Sequence, residues 1–139
     1  MAPPLTTGTS PAARTGRHCL TIRGRTREVA RARAFVARVL GPDHPGTEVA
    51  VLLTSELVTN AVLHSDSGHG GTVSVVVTLP GDRLRVEVSD AGSARSTPAV
   101  RRAARGCGGH GLFLVDALAH EWGCFSGGTQ TTVWFTLAV

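Results

Sequence analysis

Residues Thr47 to Ser65 read TEVAVLLTSELVTNAVLHS, and the fold turns on how this stretch is understood. Apolar residues recur at helical spacing, and Thr47, after the breaker segment GPDHPG (41–46), is a suitable N-cap. At about 100° per residue, Val49, Leu52, Leu53, Glu56, Asn60 and Leu63 fall on one arc, with His64 at its border. Glu56 and Asn60 therefore stand within an apolar stripe. A polar side chain buried there without a partner would cost roughly 1–3 kcal/mol. Backbone or a buried water could meet the pair, or a ligand could. His64 reads as packing, or as a support to groups that meet a ligand.

Upstream, residues 1–16 are rich in Pro, Thr, Ser and Ala without periodicity and are expected to be a disordered tail, so that one domain spans 17–139. His18–Arg23 is expected to be a strand. Thr26–Leu40 is expected to be an amphipathic helix, with Val29, Ala32, Val36, Val39 and Leu40 on one side and Arg27, Arg31 and Arg38 on the other. Downstream, Thr72–Leu79 and Arg83–Asp90 alternate about a Pro-Gly-Asp turn and predict an antiparallel hairpin. Thr97–Arg105 could form a short helix, and Gly111–His120 predicts an apolar one. Glu121–Ser126 and Gln130–Ala138 flank a Gly-Gly turn and predict a second hairpin. The order β, α, α, β, β, α, β, β predicts an α/β two-layer sandwich, a mixed or antiparallel sheet with helices on one face.

Composition narrows the function. At 139 residues and 42% hydrophobic, the chain suits one domain with a real core. The net charge of +4 permits an acidic partner, but the basic residues are all arginines scattered over helices, strands and loops. Only 4% of residues are aromatic, so direct nucleic-acid binding is not expected. Cys19, Cys107 and Cys124 are odd in number and lack metal-ligand spacing, which argues against a disulfide framework or structural zinc and for a reduced cytoplasmic setting. No apolar run approaches the ~20 residues of a membrane span, and no signal peptide is evident.

Three segments carry candidate chemistry. Glu56 and Asn60, four apart, leave one helix face about one turn apart, where a carboxylate and an amide oxygen could orient a nucleophile and ligate Mg2+. Ser89-Asp90-Ala91-Gly92 ends a strand, and Asp90 could accept a hydrogen bond from a base amine while Gly92 allows close approach; an ordinary turn reads the same way. Gly106-Cys107-Gly108-Gly109-His110-Gly111 feeds into a helix and suits phosphate, although it is neither a P-loop nor a dinucleotide fingerprint. Arg95, Arg101, Arg102 and Arg105, just before it, could neutralise phosphate or form a solvated surface.

In this order the segments resemble the GHKL ATPase superfamily of gyrase, heat-shock chaperone, mismatch-repair and histidine-kinase domains. SELVTNAVLHS resembles its Asn box, VSDAGS its first glycine box and GCGGHGLFLVDALAHEWG its second, with TTVWFTL as the final strand. Length and spacing are most similar to the anti-sigma-factor serine/threonine kinases, especially the small Arg-rich regulators of high-GC actinobacteria. The resemblance implies a Bergerat-type ATP-binding fold with ATP and Mg2+ as cofactors. It implies Asn60 on Mg2+, Glu56 as catalytic base or orienter, Asp90 on the adenine amine and Gly92 beneath the base. Gly106, Gly108, Gly109, His110, Gly111 and Leu112 would line the nucleotide, and Thr132 would support the adenine site. A sigma factor and an anti-anti-sigma antagonist would be the partners. Relatives are often dimeric, and the amphipathic first helix offers a surface for a homodimer. Ala94 stands where a glycine is usual, His110 where Arg or Lys is frequent, and Thr131 where a Lys often precedes the final Thr; these departures leave open a module that captures partners without catalysis.

Overall fold

A computed structural model describes residues 16–64, 71–90, 112–127 and 130–138. All of the proposed tail but Gly16, the Thr97–Arg105 helix, Gly92 and the 106–111 glycine segment lie outside these residues. The elements are β1 (Arg17–Arg23), a 3-10 turn (Thr26–Glu28), α1 (Val29–Leu40), α2 (Thr47–His64), β2 (Thr72–Thr78), β3 (Arg83–Asp90), α3 (Leu112–Leu118), β4 (Glu121–Gly127) and β5 (Gln130–Ala138). The strands form one antiparallel sheet in the order β1-β2-β3-β5-β4. The expected sandwich is present, and its sheet is wholly antiparallel among the described strands.

Alternation decides which strand residues meet the helices. Val73, Val75 and Val77 of β2, Leu84, Val86 and Val88 of β3, and Phe135 and Leu137 of β5 are buried, and they share one core with Ala32, Phe35, Val36 and Leu40 of α1, Leu53, Leu57 and Val58 of α2, and Leu112 and Val115 of α3. One sheet face is therefore dry and the other has no described helix upon it. The β2–β3 turn has Gly81 at φ +63°, with the Arg83 amide donating to the Pro80 carbonyl at 3.1 Å. Glycine at the first central position suits the twist of a two-residue hairpin.

The α1–α2 corner is tied by its own backbone. Gly41, at φ +87°, ends α1 with its amide donating to the Ala37 carbonyl, and its own carbonyl accepts from Thr47 Oγ1 at 2.7 Å. Thr47 thus opens the helix, but its hydroxyl holds the preceding loop rather than capping a helix amide.

The buried arc of α2 differs from the one expected. Ala50, Leu53, Thr54, Leu57, Val58 and Val62 face the core, while Leu52 and Leu63 are 41% and 60% exposed. The core direction is turned by more than a third of a revolution from the expected arc. α2 lies between α1, α3 and the sheet, so it is apolar over most of its girth and the position of its polar side is set by its neighbours. Glu56 and Asn60 consequently stand half-buried at the flank of the core, not at its centre.

Candidate functional site

Chain direction brings Glu56, Asn60 and Asp90 to one end of the sandwich. From Arg23 the chain turns into α1, which runs back along the sheet, and α2 returns antiparallel to it. Gly24 donates to the Gly71 carbonyl at 3.1 Å, closing this end where β1 finishes and β2 begins. Val73, the second residue of β2, pairs with Asp90, the last of β3. The C-terminal half of α2, with Glu56 and Asn60, thus shares the Asp90 end.

Asp90 is the last inward residue of β3 and is 7% exposed. Strand pairing sets Ile22, Val73, Asp90 and Thr131 in one transverse row. A carboxylate here prolongs an otherwise aliphatic layer, and desolvating it is costly unless polar groups meet it. Its neighbour across the strand is Thr131.

Thr132, the expected adenine-supporting threonine, lies in the adjacent row on the opposite face of the sheet. Its hydroxyl shares a 2.7 Å hydrogen bond with that of Ser89, its register partner. Thr132 thus faces away from the Asp90 row, in which Thr131 stands. The signal was present in the sequence, since Val133, Phe135 and Leu137 alternate as the inward residues of β5 and Thr131 is in phase with them.

α3 follows directly on the glycine segment. Leu112 and Val115 enter the core. Trp122 Nε1 donates to Asp116 Oδ1 at 2.8 Å, and the His120 amide donates to the Thr136 carbonyl at 2.7 Å, fixing the helix to β4 and β5. Leu112 is thus a core residue of α3. Gly92, Gly106, Gly108, Gly109, His110 and Gly111 fall outside the described residues.

Cys124, on β4, is disulfide-bonded, and Cys19 is free and exposed. Number and spacing argue against a disulfide framework and for a reduced setting, and the bond at Cys124 departs from that setting. An odd count does not exclude a bond at Cys124.

The donor set is suited to a nucleotide in two parts. A buried carboxylate beside a hydroxyl, at the rim of a valine-rich layer, matches a flat base bearing an amine. An amide and a carboxylate one helical turn apart match the metal and nucleophile end. Among the described residues no three His, Cys, Asp or Glu side chains group as a metal cage. A Mg2+ ion held by one amide would take its other ligands from phosphates and water, which is its habit. An open groove of about 960 Å3 lined by Arg38, Asp43, His44 and Glu48 lies at the opposite end, where α1 passes into α2, and shares none of these residues.

The profile of the histidine kinase-like ATPase domain matches residues 22–137. The chain belongs to this family. The match runs from the end of β1 through nearly all of β5, so the whole sandwich is the ATPase domain rather than an appendage to one. Membership in an ATPase family implies ATP as the ligand class. A comparison with curated proteins finds no match. Among the described residues no helix of this histidine kinase-like ATPase domain is long and apolar enough to cross a membrane.

Proposed function

We propose that this domain binds Mg2+-ATP at the Asp90 end of the sandwich and transfers the γ-phosphoryl group to a serine of a small antagonist protein, regulating a sigma factor that it otherwise sequesters in the cytoplasm. The observation that carries this reading is the gathering of Glu56, Asn60 and buried Asp90 at one end of a histidine kinase-like ATPase domain.

Asp90 would accept a hydrogen bond from the adenine amine, with the Thr131 hydroxyl beside it, while the valine layer excludes water from the ring. Asn60 would hold Mg2+ through its amide oxygen. The ion, when bound, neutralises charge on the phosphates, and phosphoryl transfer rests mainly on such positioning and charge stabilisation. Glu56 would accept the proton of the serine hydroxyl as its oxygen bonds to the γ-phosphorus and ADP departs. The resemblance in the 106–111 segment supports a phosphate-binding role for Gly106, Gly108, Gly109, His110 and Gly111.

A capture-only reading is favoured by Ala94 and His110, which depart from the usual residues. Thr131, where a Lys is frequent, departs likewise. Labelled ATP added to the purified chain with its co-purified partners tests the choice. The expected result is label on a small protein, abolished by Glu56→Ala and by Asn60→Ala. Partner capture indifferent to nucleotide and to Asn60→Ala would sink the kinase reading.

A further inference from the structure

Arginines occur along the whole chain, but the excess positive charge is gathered on one unit. Residues 17–40 hold seven of the 14 basic residues and a single acid, Glu28, so they carry +6 where the whole chain carries +4, and the remainder is net negative. All seven arginines are exposed. They lie on β1, at one edge of the sheet, on α1, which packs over β1 and β2, and on the connection between the two. At about 100° per residue, Ala30, Ala34 and Ala37 form the outer ridge of α1, with Arg31 and Arg38 along one side of it and Arg33 along the other. Ala30 and Ala34 are exposed and Ala37 is half-buried. Glu28 pairs with Arg31 at 2.9 Å, and among the described residues no carboxylate pairs with Arg33 or Arg38.

The ridge runs into the groove at the α1–α2 corner, where Ala34, Ala37 and Arg38 of α1 share the lining with Asp43 and Glu48. One turn beyond Glu48 on the same side of α2, Leu52 is 41% exposed. Alanines let a second helix approach to about 8 Å, the short end of helix packing distances. Charge then selects the occupant. A second copy of α1 would set arginines against arginines, and like charges across an interface are strongly disfavoured. A polyanion, whether nucleic acid or a lipid surface, would suit the arginines but meet Asp43 and Glu48 at the groove. A protein helix can carry carboxylates opposite the arginines and a cation opposite Asp43 and Glu48, with small residues between. Exposed ion pairs are individually weak, so the apolar strip supplies the contact while the charges supply selectivity and a fast encounter.

We propose that the outer face of α1 is the docking site for an acidic α-helix of another protein. Its Asp and Glu side chains meet Arg31, Arg33 and Arg38, and its small residues lie along Ala30, Ala34 and Ala37. The face shares no residue with the Asp90 end, so it stands independently of phosphoryl transfer there.

Fluorescence anisotropy of the full chain tests this with two labelled peptides of about 20 residues, long enough to be helical in isolation. Both carry an alanine seam, flanked by glutamates in one and by lysines in the other. The glutamate peptide should bind about tenfold or more tightly than the lysine peptide, and its affinity should fall as salt rises. Arg31→Glu combined with Arg38→Glu should reverse that preference, with circular dichroism unchanged. Ala34→Phe leaves every charge in place but fills the ridge, and it should weaken the glutamate peptide about tenfold. No binding of the glutamate peptide overturns the proposal, as does binding indifferent to Ala34→Phe, which would mark a diffuse charge attraction. Duplex DNA or phosphatidylserine vesicles bound more tightly than the peptide, and released by the same charge reversal, would overturn it in favour of a polyanion. No nucleotide enters these measurements, so their failure leaves the ATP-binding reading standing.

Discussion

Thr131 and Thr132 show how much one residue of phase decides. Both are threonines on β5, but the pleat sends Thr131 to the Asp90 row and Thr132 to Ser89 on the other face. Replacing each by valine separates their roles. Thr131→Val should weaken ATP binding by about 3- to 10-fold in calorimetry, the worth of one hydrogen bond. Thr132→Val should leave ATP affinity unchanged and cost about 1 kcal/mol in denaturant unfolding, since it strips Ser89 of a hydroxyl partner. Reversal of that pattern would return the adenine site to Thr132.

At the scale of elements, α2 is where sequence and structure part. Its extent was legible from the GPDHPG breaker and the apolar spacing, and the helix indeed spans Thr47–His64. Its orientation was not. A helix packed on three sides has apolar residues nearly all round, so its periodicity points nowhere in particular, and the arc through Leu52 and Leu63 was as plausible as the true one. Leu53→Ala should cost about 2–5 kcal/mol, the range for a buried leucine. Leu52→Ala should stay within about 0.5 kcal/mol, as exposed substitutions do. Equal losses at both positions would mean that the helix is rotated from the orientation described. α1, packed on one side, posed no such ambiguity: its arginines turned outward as its period required, although Phe35 joined the buried side unannounced.

For the whole molecule, the disulfide at Cys124 adds a constraint that cysteine spacing did not reveal. Cys124 sits in the inward row of Leu20, Val75, Val88 and Val133, at the edge of the sheet. Cys124→Ser should lower stability by about 2–4 kcal/mol under oxidising conditions. With a thiol reductant present the variant and the parent chain should melt together; a gap that persists would assign the loss to packing instead. The sequence by itself determined the element order, the antiparallel hairpins and the family, because alternation, turn residues and box motifs are local signals. Only the tertiary structure decided which side of α2 meets the core and that Cys124 is bonded. It also showed how Glu56, Asn60 and Asp90 reach one end of the sandwich. Each of these depends on contacts between residues far apart in the chain, and no local pattern encodes them.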